Sequence, residues 1–290
     1  MSEAEFANYP SLKGRPVVIS GGASGIGAAL VRNFAAQGAK VGFVDIAGDA
    51  GRRLAGELTS AGQVVIFTEC DITVTPDYQQ AIAGFAQAHG DALVLVNNAA
   101  HDDRHDWRNV TPEYWDERMA VNLKHSFFAT QAVAPGMIAA RQGSIINFGS
   151  ISWMLMAADM VAYTTANAAV HGLTRTMARE LGHDSIRVNT LVPGSVITER
   201  QLALWSDESK IAATRERQAL HQSVMPDDIA RMALFLAADD LEAVGRNYHA
   251  LHEIEASYRG RKHNAEESLR DTIETCFHYC QAGLKGDPNQ

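Results

Sequence analysis

Short runs of apolar, β-branched residues recur along the chain, each followed by a longer segment of helical period. The strand-like runs are RPVVIS from Arg15, AKVGFVDI from Ala39, QVVIFTE from Gln63, ALVLVNNA from Ala92, GSIINFGS from Gly143 and SIRVNTLVPG from Ser185. RNYHALH from Arg246 is a candidate seventh. Each is nearly continuous in apolar residues, as strands buried on both faces are. The segments between them, such as GIGAALVRNFAAQG from Gly25, carry apolar residues at helical spacing. A long helix is expected to open at Thr111–Pro112, since Thr caps a helix and Pro suits its first position. This alternation predicts an α/β fold: a doubly wound parallel sheet of about seven strands, with helices on both faces and right-handed crossovers. No internal repeat or low-complexity tract interrupts it.

Two regions break the rhythm. The segment VITERQLALWSDESKIAATRERQAL from Val196 follows the sixth strand with helical, strand-free sequence. Pattern alone reads it equally as a lid, at about 196–222, or as one or two packed surface helices. The second region is the tail, which divides the chain into a body, 1–254, and a segment 255–290. The tail begins polar, with a solvated RGRKH stretch, and then reads as an extra C-terminal helix. Asn264 and Glu267 have the spacing of a capping box, and Leu269, Ile273, Phe277 and Cys280 form an apolar stripe. That stripe is expected to dock on the body or on a partner subunit. Cys276 and Cys280 face one way and His278 another, so no metal site is expected.

Composition narrows the class. The chain has 290 residues, 46% hydrophobic and 20% charged, enough for a sizeable core. Its net charge of −9 argues against a nucleic-acid partner. No apolar run reaches the roughly 18 residues a membrane span needs. The acidic start MSEAEFANYP has no apolar core of a signal peptide. Three cysteines, Cys70, Cys276 and Cys280, are too few for a disulfide framework. A cytoplasmic protein is expected.

The chemistry starts at VVISGGASGIG, Val17 to Gly27, between the first strand and the first helix. Gly21, Gly25 and Gly27 stand where the chain must turn sharply and let backbone approach a ligand. The helix N-terminus then offers unpaired N–H groups and its positive dipole end to a pyrophosphate. Asp45 closes the second strand 18 residues beyond Gly27, near the spacing at which an acid meets the adenosine ribose. A carboxylate there accepts hydrogen bonds from both ribose hydroxyls and repels a 2′-phosphate, which favours NAD over NADP. Asp71 and Ile72, in CDIT after the third strand, belong beside the adenine.

Taken together, SGGASGIG, NNAA, YTTAN and PGSVIT resemble the short-chain dehydrogenase/reductase family, over roughly Leu12 to His252. Within the family, NNAAHDDRH, YWDERMAVNL, QAVAPGM, INFGSISW and a VPG…RQ…W lid resemble bacterial sugar 1-dehydrogenases of the D-xylose type. The resemblance implies a Rossmann fold, NAD as cofactor and a homodimer or homotetramer. It makes Tyr163 the acid/base. Ser150, 13 residues earlier, would hydrogen-bond the substrate oxygen, and Asn122 would orient a relay water. Ser24, Ile26 and Asn98 join the glycines in holding the cofactor, while Pro193, Gly194, Val196 and Thr198 hold its nicotinamide carboxamide. His101 and Asp102, after the fourth strand, and Trp153, three residues past Ser150, would bind a sugar or polyol. The expected reaction is oxidation of an aldose at C1 to a lactone. Chemically, removing hydride from a carbinol carbon needs a base at its hydroxyl and an acceptor on the other face, and a Tyr–Ser pair can bracket one oxygen.

Ser20 and Ala100 depart mildly from the family, which usually has threonine and glycine there. The body's ending and the tail have no family counterpart. Asn167 is the large departure: it stands where the family has a lysine, one helical turn after Tyr163. The lysine binds the nicotinamide ribose, lowers the tyrosine pKa and passes protons to solvent. Asparagine keeps the hydrogen bonding and loses the charge. His171, one turn further, is a substitute or a bystander. Two readings follow: an NAD-dependent dehydrogenase attenuated at Asn167, or a catalytically silent NAD-binding protein with a regulatory or scaffolding role.

Overall fold

A computed structural model describes residues 6–218, 220–239 and 249–251. Six strands form the body of one parallel sheet: β1 (Pro16–Ser20), β2 (Lys40–Asp45), β3 (Val65–Glu69), β4 (Val94–Asn97), β5 (Gly143–Phe148) and β6 (Ile186–Val192). A three-residue β7 (His249–Leu251) extends the edge, giving the order β3-β2-β1-β4-β5-β6-β7. The order reverses between β1 and β4, and the crevice at such a switch point, beyond the strands' carboxyl ends, is where doubly wound sheets bind ligands.

The pleat divides the strand residues between two apolar layers. Val17, Ile19, Val41, Phe43, Val94 and Val96 face the helices α1 (Gly25–Ala36), α2 (Gly48–Ser60) and α9 (Pro226–Ala237). Val18, Val44, Leu95, Ile145 and Val188 face α3 (Thr75–His89), α5 (His125–Ala140) and α6 (Val161–Leu181). Each fully buried side chain of this size contributes about 1.5–3 kcal/mol, which explains why the strands are apolar on both faces. The end of α9 is fixed by two arginines. Arg187, buried in β6, donates to the Ala238 carbonyl at 2.9 Å, and Arg15 pairs with both oxygens of Asp239 at 2.7 Å.

The expected long helix is two helices. α4 (Pro112–Met119) opens as expected, with the Thr111 hydroxyl accepting from the Tyr114 N–H at 3.2 Å. A π-turn at Ala120–Lys124 then separates it from α5. The strand-free segment after β6 forms α7 (Glu199–Leu204) and α8 (Glu208–Arg217). The expected tail helix, with Asn264, Glu267 and the Cys276–His278–Cys280 group, lies outside the described residues. Among those described, no helix is long and apolar enough to cross a membrane, and no cluster of metal-ligating side chains occurs.

Candidate active site

The glycine turn sits at the switch point, against the end of β4. Gly21 and Gly25 adopt left-handed backbone, with φ of +68° and +52°. At Gly27 the constraint is space: a Cβ would stand 1.7 Å from the Gly21 carbonyl oxygen. Asn98 holds the turn from beneath, donating its side-chain amide to the carbonyls of Ser20 at 3.1 Å and Gly21 at 2.9 Å. The Ser20 hydroxyl accepts from the backbone N–H groups of Asn98 and Ala99 at 3.1 and 3.2 Å, so the serine does the bridging a threonine would. Ser24 occupies the N-cap of α1 without a side-chain capping bond, which leaves the first N–H groups of the helix for a ligand. Ile26 lies in that first turn, and Thr198 faces the turn from the other side, its methyl 3.4 Å from where a Gly25 Cβ would be.

Asp45 ends β2 beside the turn. One carboxylate oxygen accepts from the Ala23 N–H and the other from the Ala47 N–H, each at 2.9 Å, leaving each oxygen a second lone pair. Asp71 follows β3, where its carboxylate closes a small turn on the Thr73 N–H and hydroxyl at 2.9 and 2.7 Å, and Ile72 beside it is buried. On the far side, Pro193 and Gly194 leave β6, with the Pro193 carbonyl accepting from Ile151 at 3.3 Å. Val196 bridges to Val224 with its side chain in the core, so only its backbone is offered to the crevice.

Ser150, Tyr163 and Asn167 come together. Tyr163 is partly buried in the first turn of α6. Burial raises the pKa of its phenol above the usual value; hydrogen bonds with Ser150 and Asn167 oppose that, as does the nearby Arg104, while the Asp102 carboxylate reinforces it. The Ser150 hydroxyl accepts from the Ser152 N–H at 3.1 Å, which leaves its proton for Tyr163 or a substrate oxygen. Asn167 is 4% exposed, and its amide donates back to the Tyr163 carbonyl at 2.9 Å. His171, one turn on, packs edge-to-face against Trp153 with centroids 5.1 Å apart.

The loop after β4 is anchored at both ends. Asn122, in the π-turn, accepts from the His101 N–H at 2.8 Å and donates to the carbonyls of His101 and Arg118 at 3.2 and 2.9 Å. The buried asparagine therefore fixes the loop through two backbone groups of His101 and braces itself on the preceding turn of α4. A π-turn placed there is a frequent mark of a functional site. His101 contacts Arg118 through Nδ1 and Asp103 through Nε2 at 3.0 Å; burial and Arg118 lower its pKa, so the ring is neutral at pH 7. Asp102 meets the segment after β6. Its oxygens accept from Arg200 Nε and Gln201 Nε2, both at 3.2 Å, and Asp103 accepts from Arg200 Nη2 at 2.6 Å. Sequence reasoning grouped Asp102 with the substrate ligands and passed over Arg200 and Gln201. The RQ pair sits in the lid sequence, yet nothing in it names its acid partners.

A sheet edge with a pyrophosphate-type turn on one flank and a neighbouring Ser–Tyr pair on the other is the arrangement of a dinucleotide-dependent oxidoreductase. A family model described as enoyl-(acyl carrier protein) reductase matches residues 21–249. The chain belongs to the short-chain dehydrogenase/reductase family, whose dehydrogenases act on CH–OH groups with NAD(P). It is 50% identical over 234 residues to D-xylose 1-dehydrogenase of Caulobacter vibrioides, covering 81% of this chain and 92% of that one. To the Rhizobium meliloti protein named "Probable galactose dehydrogenase GalD" it is 45% identical over 239 residues, 82% of this chain and 93% of that one. Among solved structures, a gluconate 5-dehydrogenase from Burkholderia cenocepacia in complex with NADP and tartrate superposes with a TM-score of 0.77. It is 28% identical, and the match covers 84% of this chain and 96% of that one.

Proposed function

We propose that the protein is an NAD-dependent dehydrogenase that oxidises an aldose at C1 to a lactone, with its proton transfer attenuated by Asn167. The observation that carries the reading is that Ser150 and Tyr163 lie together across the crevice from the glycine turn, close enough for Ser150 to oppose the burial that raises the Tyr163 pKa. The turn fits a dinucleotide, since the crowding at Gly27 and the uncapped start of α1 both favour a pyrophosphate. Gly21, Gly25 and Gly27 would hold the phosphates, Asp45 the adenosine ribose, and Thr198 with the backbone of Val196 the nicotinamide end. Asp45 and the absence of an arginine in VDIAGD support NAD, although a structural neighbour carries NADP. NAD, when bound, supplies the hydride acceptor.

The protein's own groups handle the proton. Ser150 donates to the substrate C1 oxygen and Tyr163 takes the proton from that hydroxyl. Asn122 holds the loop carrying His101 and Asp102, and residues 196–222 act as the lid. Two similar sugar dehydrogenases support an aldose, and the neutral His101 and partly exposed Trp153 suit a polyol. We read the body as residues 1–254 of a cytoplasmic homo-oligomer.

Asn167 favours a second reading. Its amide is turned back onto the Tyr163 carbonyl and supplies no charge, as in a silent NAD-binding protein. Initial rates with NAD across an aldose panel, from neutral to alkaline pH, test both. Turnover of an aldose that rises with pH supports the enzyme. NAD binding with no turnover at any pH supports the binder.

A further inference from the structure

We propose that Trp205 on the lid is a substrate-contacting residue, donating its indole N–H to an oxygen of a neutral sugar while Arg104 holds the ring. The inference rests on the reading of the site as an aldose dehydrogenase.

Trp205 directly follows α7, and its backbone N–H donates to the Gln201 carbonyl at 3.0 Å. Gln201 and Arg200 grip Asp102, and Arg200 also grips Asp103, so Trp205 is tied to the loop after β4 by the same turn of helix. That loop returns the contact. Arg104 lays its guanidinium over the Trp205 ring, 5.4 Å from the centroid, and its Nη1 donates to Met160 Sδ at 3.4 Å. Met160 precedes α6, three residues before Tyr163. The indole is thus held by a side chain that also reaches the start of the helix bearing the acid/base.

The held ring has an unmet need. Trp205 Nε1–H is buried with no acceptor among the described residues. A buried donor left unpaired is costly, and the N–H of a buried tryptophan usually finds a partner. Two further polar groups share the condition: Trp153 Nε1 and Ser152 Oγ, on the loop that follows β5 and carries Ser150. The two loops leave the carboxyl ends of neighbouring strands, β5 and β6, on the edge where Tyr163 lies. All three groups are uncharged, and each can donate to an oxygen. A ligand dense in hydroxyl oxygens and without charge offers acceptors to donors of this kind, while a flat indole face covers its CH groups. An acyl chain or a steroid nucleus leaves the donors unpaired, the situation that lets a polar site reject an analogue lacking its hydroxyl.

Trp205→Phe tests this, because it keeps an aromatic face for Arg104 while removing the N–H together with part of the indole's second ring. With NAD saturating, the KM for the best aldose should rise roughly three- to tenfold, the worth of one neutral hydrogen bond, while kcat falls less and the KM for NAD stays put. A set of singly deoxygenated aldoses adds a cycle. On the sugar lacking the accepting hydroxyl, wild type and variant should become equal. Should Trp205→Phe prove unstable to melting, Arg104→Gln frees the ring and is expected to raise the same KM. If wild type oxidises aldoses and both variants match it, or the variant penalty is the same on every deoxy sugar, Trp205 makes no such contact. If wild type neither oxidises an aldose nor changes its tryptophan fluorescence when one is added, the aldose reading is overturned and this inference with it.

Discussion

Asn167→Lys is the sharpest perturbation of this site. Asn167 is buried, one helical turn from Tyr163, with its amide on the Tyr163 carbonyl. An unperturbed tyrosine has a pKa near 10, so about 0.1% is phenolate at pH 7. Burial holds Tyr163 higher still, so less of it is available as base. A cation beside an acid lowers its pKa by roughly 1–3 units, a tenfold to thousandfold gain in phenolate. Burying the ammonium takes back part of that gain, since an incompletely paired charge is costly there. The expected increase in kcat/KM for aldose oxidation at pH 7 is therefore about tenfold, the low end of the range. The gain should shrink as pH rises toward the parent's tyrosine pKa, where Tyr163 ionises unaided. Carbonyl reduction near neutral pH should gain less, because the neutral phenol is already the proton donor. The assay is initial rates in both directions over a neutral-to-alkaline pH series, with Tyr163→Phe inactive in either background. An Asn167→Lys protein that binds NAD normally yet oxidises no sugar at any pH would refute the argument. A gain independent of pH would refute the charge as its cause.

Asp45→Asn should erase a preference for NAD over NADP, by roughly tenfold or more, since it removes the charge that repels a 2′-phosphate; calorimetric titration of both nucleotides reads it, and equal affinities in the parent would sink the premise. Gly27→Ala should abolish NAD binding and lower the melting temperature, because its Cβ would lie 1.7 Å from the backbone Gly21 oxygen, which cannot yield. Asp239→Asn should cost about 1–2 kcal/mol at neutral pH by weakening the paired contact with the buried Arg15. Its pKa is depressed, first by the Arg15 hydrogen bond, so the contribution is present above the ordinary carboxylate value and is lost as pH falls through the depressed one; melting curves of wild type and variant should converge in acid. Light scattering at micromolar concentration should give a homo-oligomer, and a monomer would refute that part of the reading.

The strands were legible because burial on both faces leaves little choice of residue. GSIINFGS became β5 over Gly143–Phe148, and AKVGFVDI became β2 ending on Asp45. The Thr111–Pro112 start was legible because a cap is a local device. The π-turn at Ala120–Lys124 was not, because its apolar period continues that of the helices around it. What sets the turn apart is a tertiary need: Asn122 reaching three backbone groups of a loop and a neighbouring turn. The same limit applies to Asp102. Its position after β4 could be read from the chain, but its acquisition of Arg200 and Gln201 depends on how α7 folds back over the sheet edge.

That difference bears on how Asn167 is to be understood. Where a side chain binds its own helix, sequence spacing suffices, and the amide of Asn167 on the Tyr163 carbonyl follows from the one-turn separation. Where charge acts across loops, spacing fails. The field at Tyr163 includes Asp102, which raises its pKa, and Arg104, which lowers it, and both belong to the HDDRH loop rather than to α6. Arg200, on α7, sits on the Asp102 carboxylate at 3.2 Å, so this contact partly neutralises the charge that opposes ionisation. The proton affinity of Tyr163 is thereby linked to Arg200 on α7 as well as to position 167. In Arg200→Ala, Asp102 is left unneutralised, so the alkaline limb of the pH–rate profile should move to higher pH. If that limb stays fixed while only KM changes, Arg200 acts on substrate alone and position 167 is left as the main control of the base.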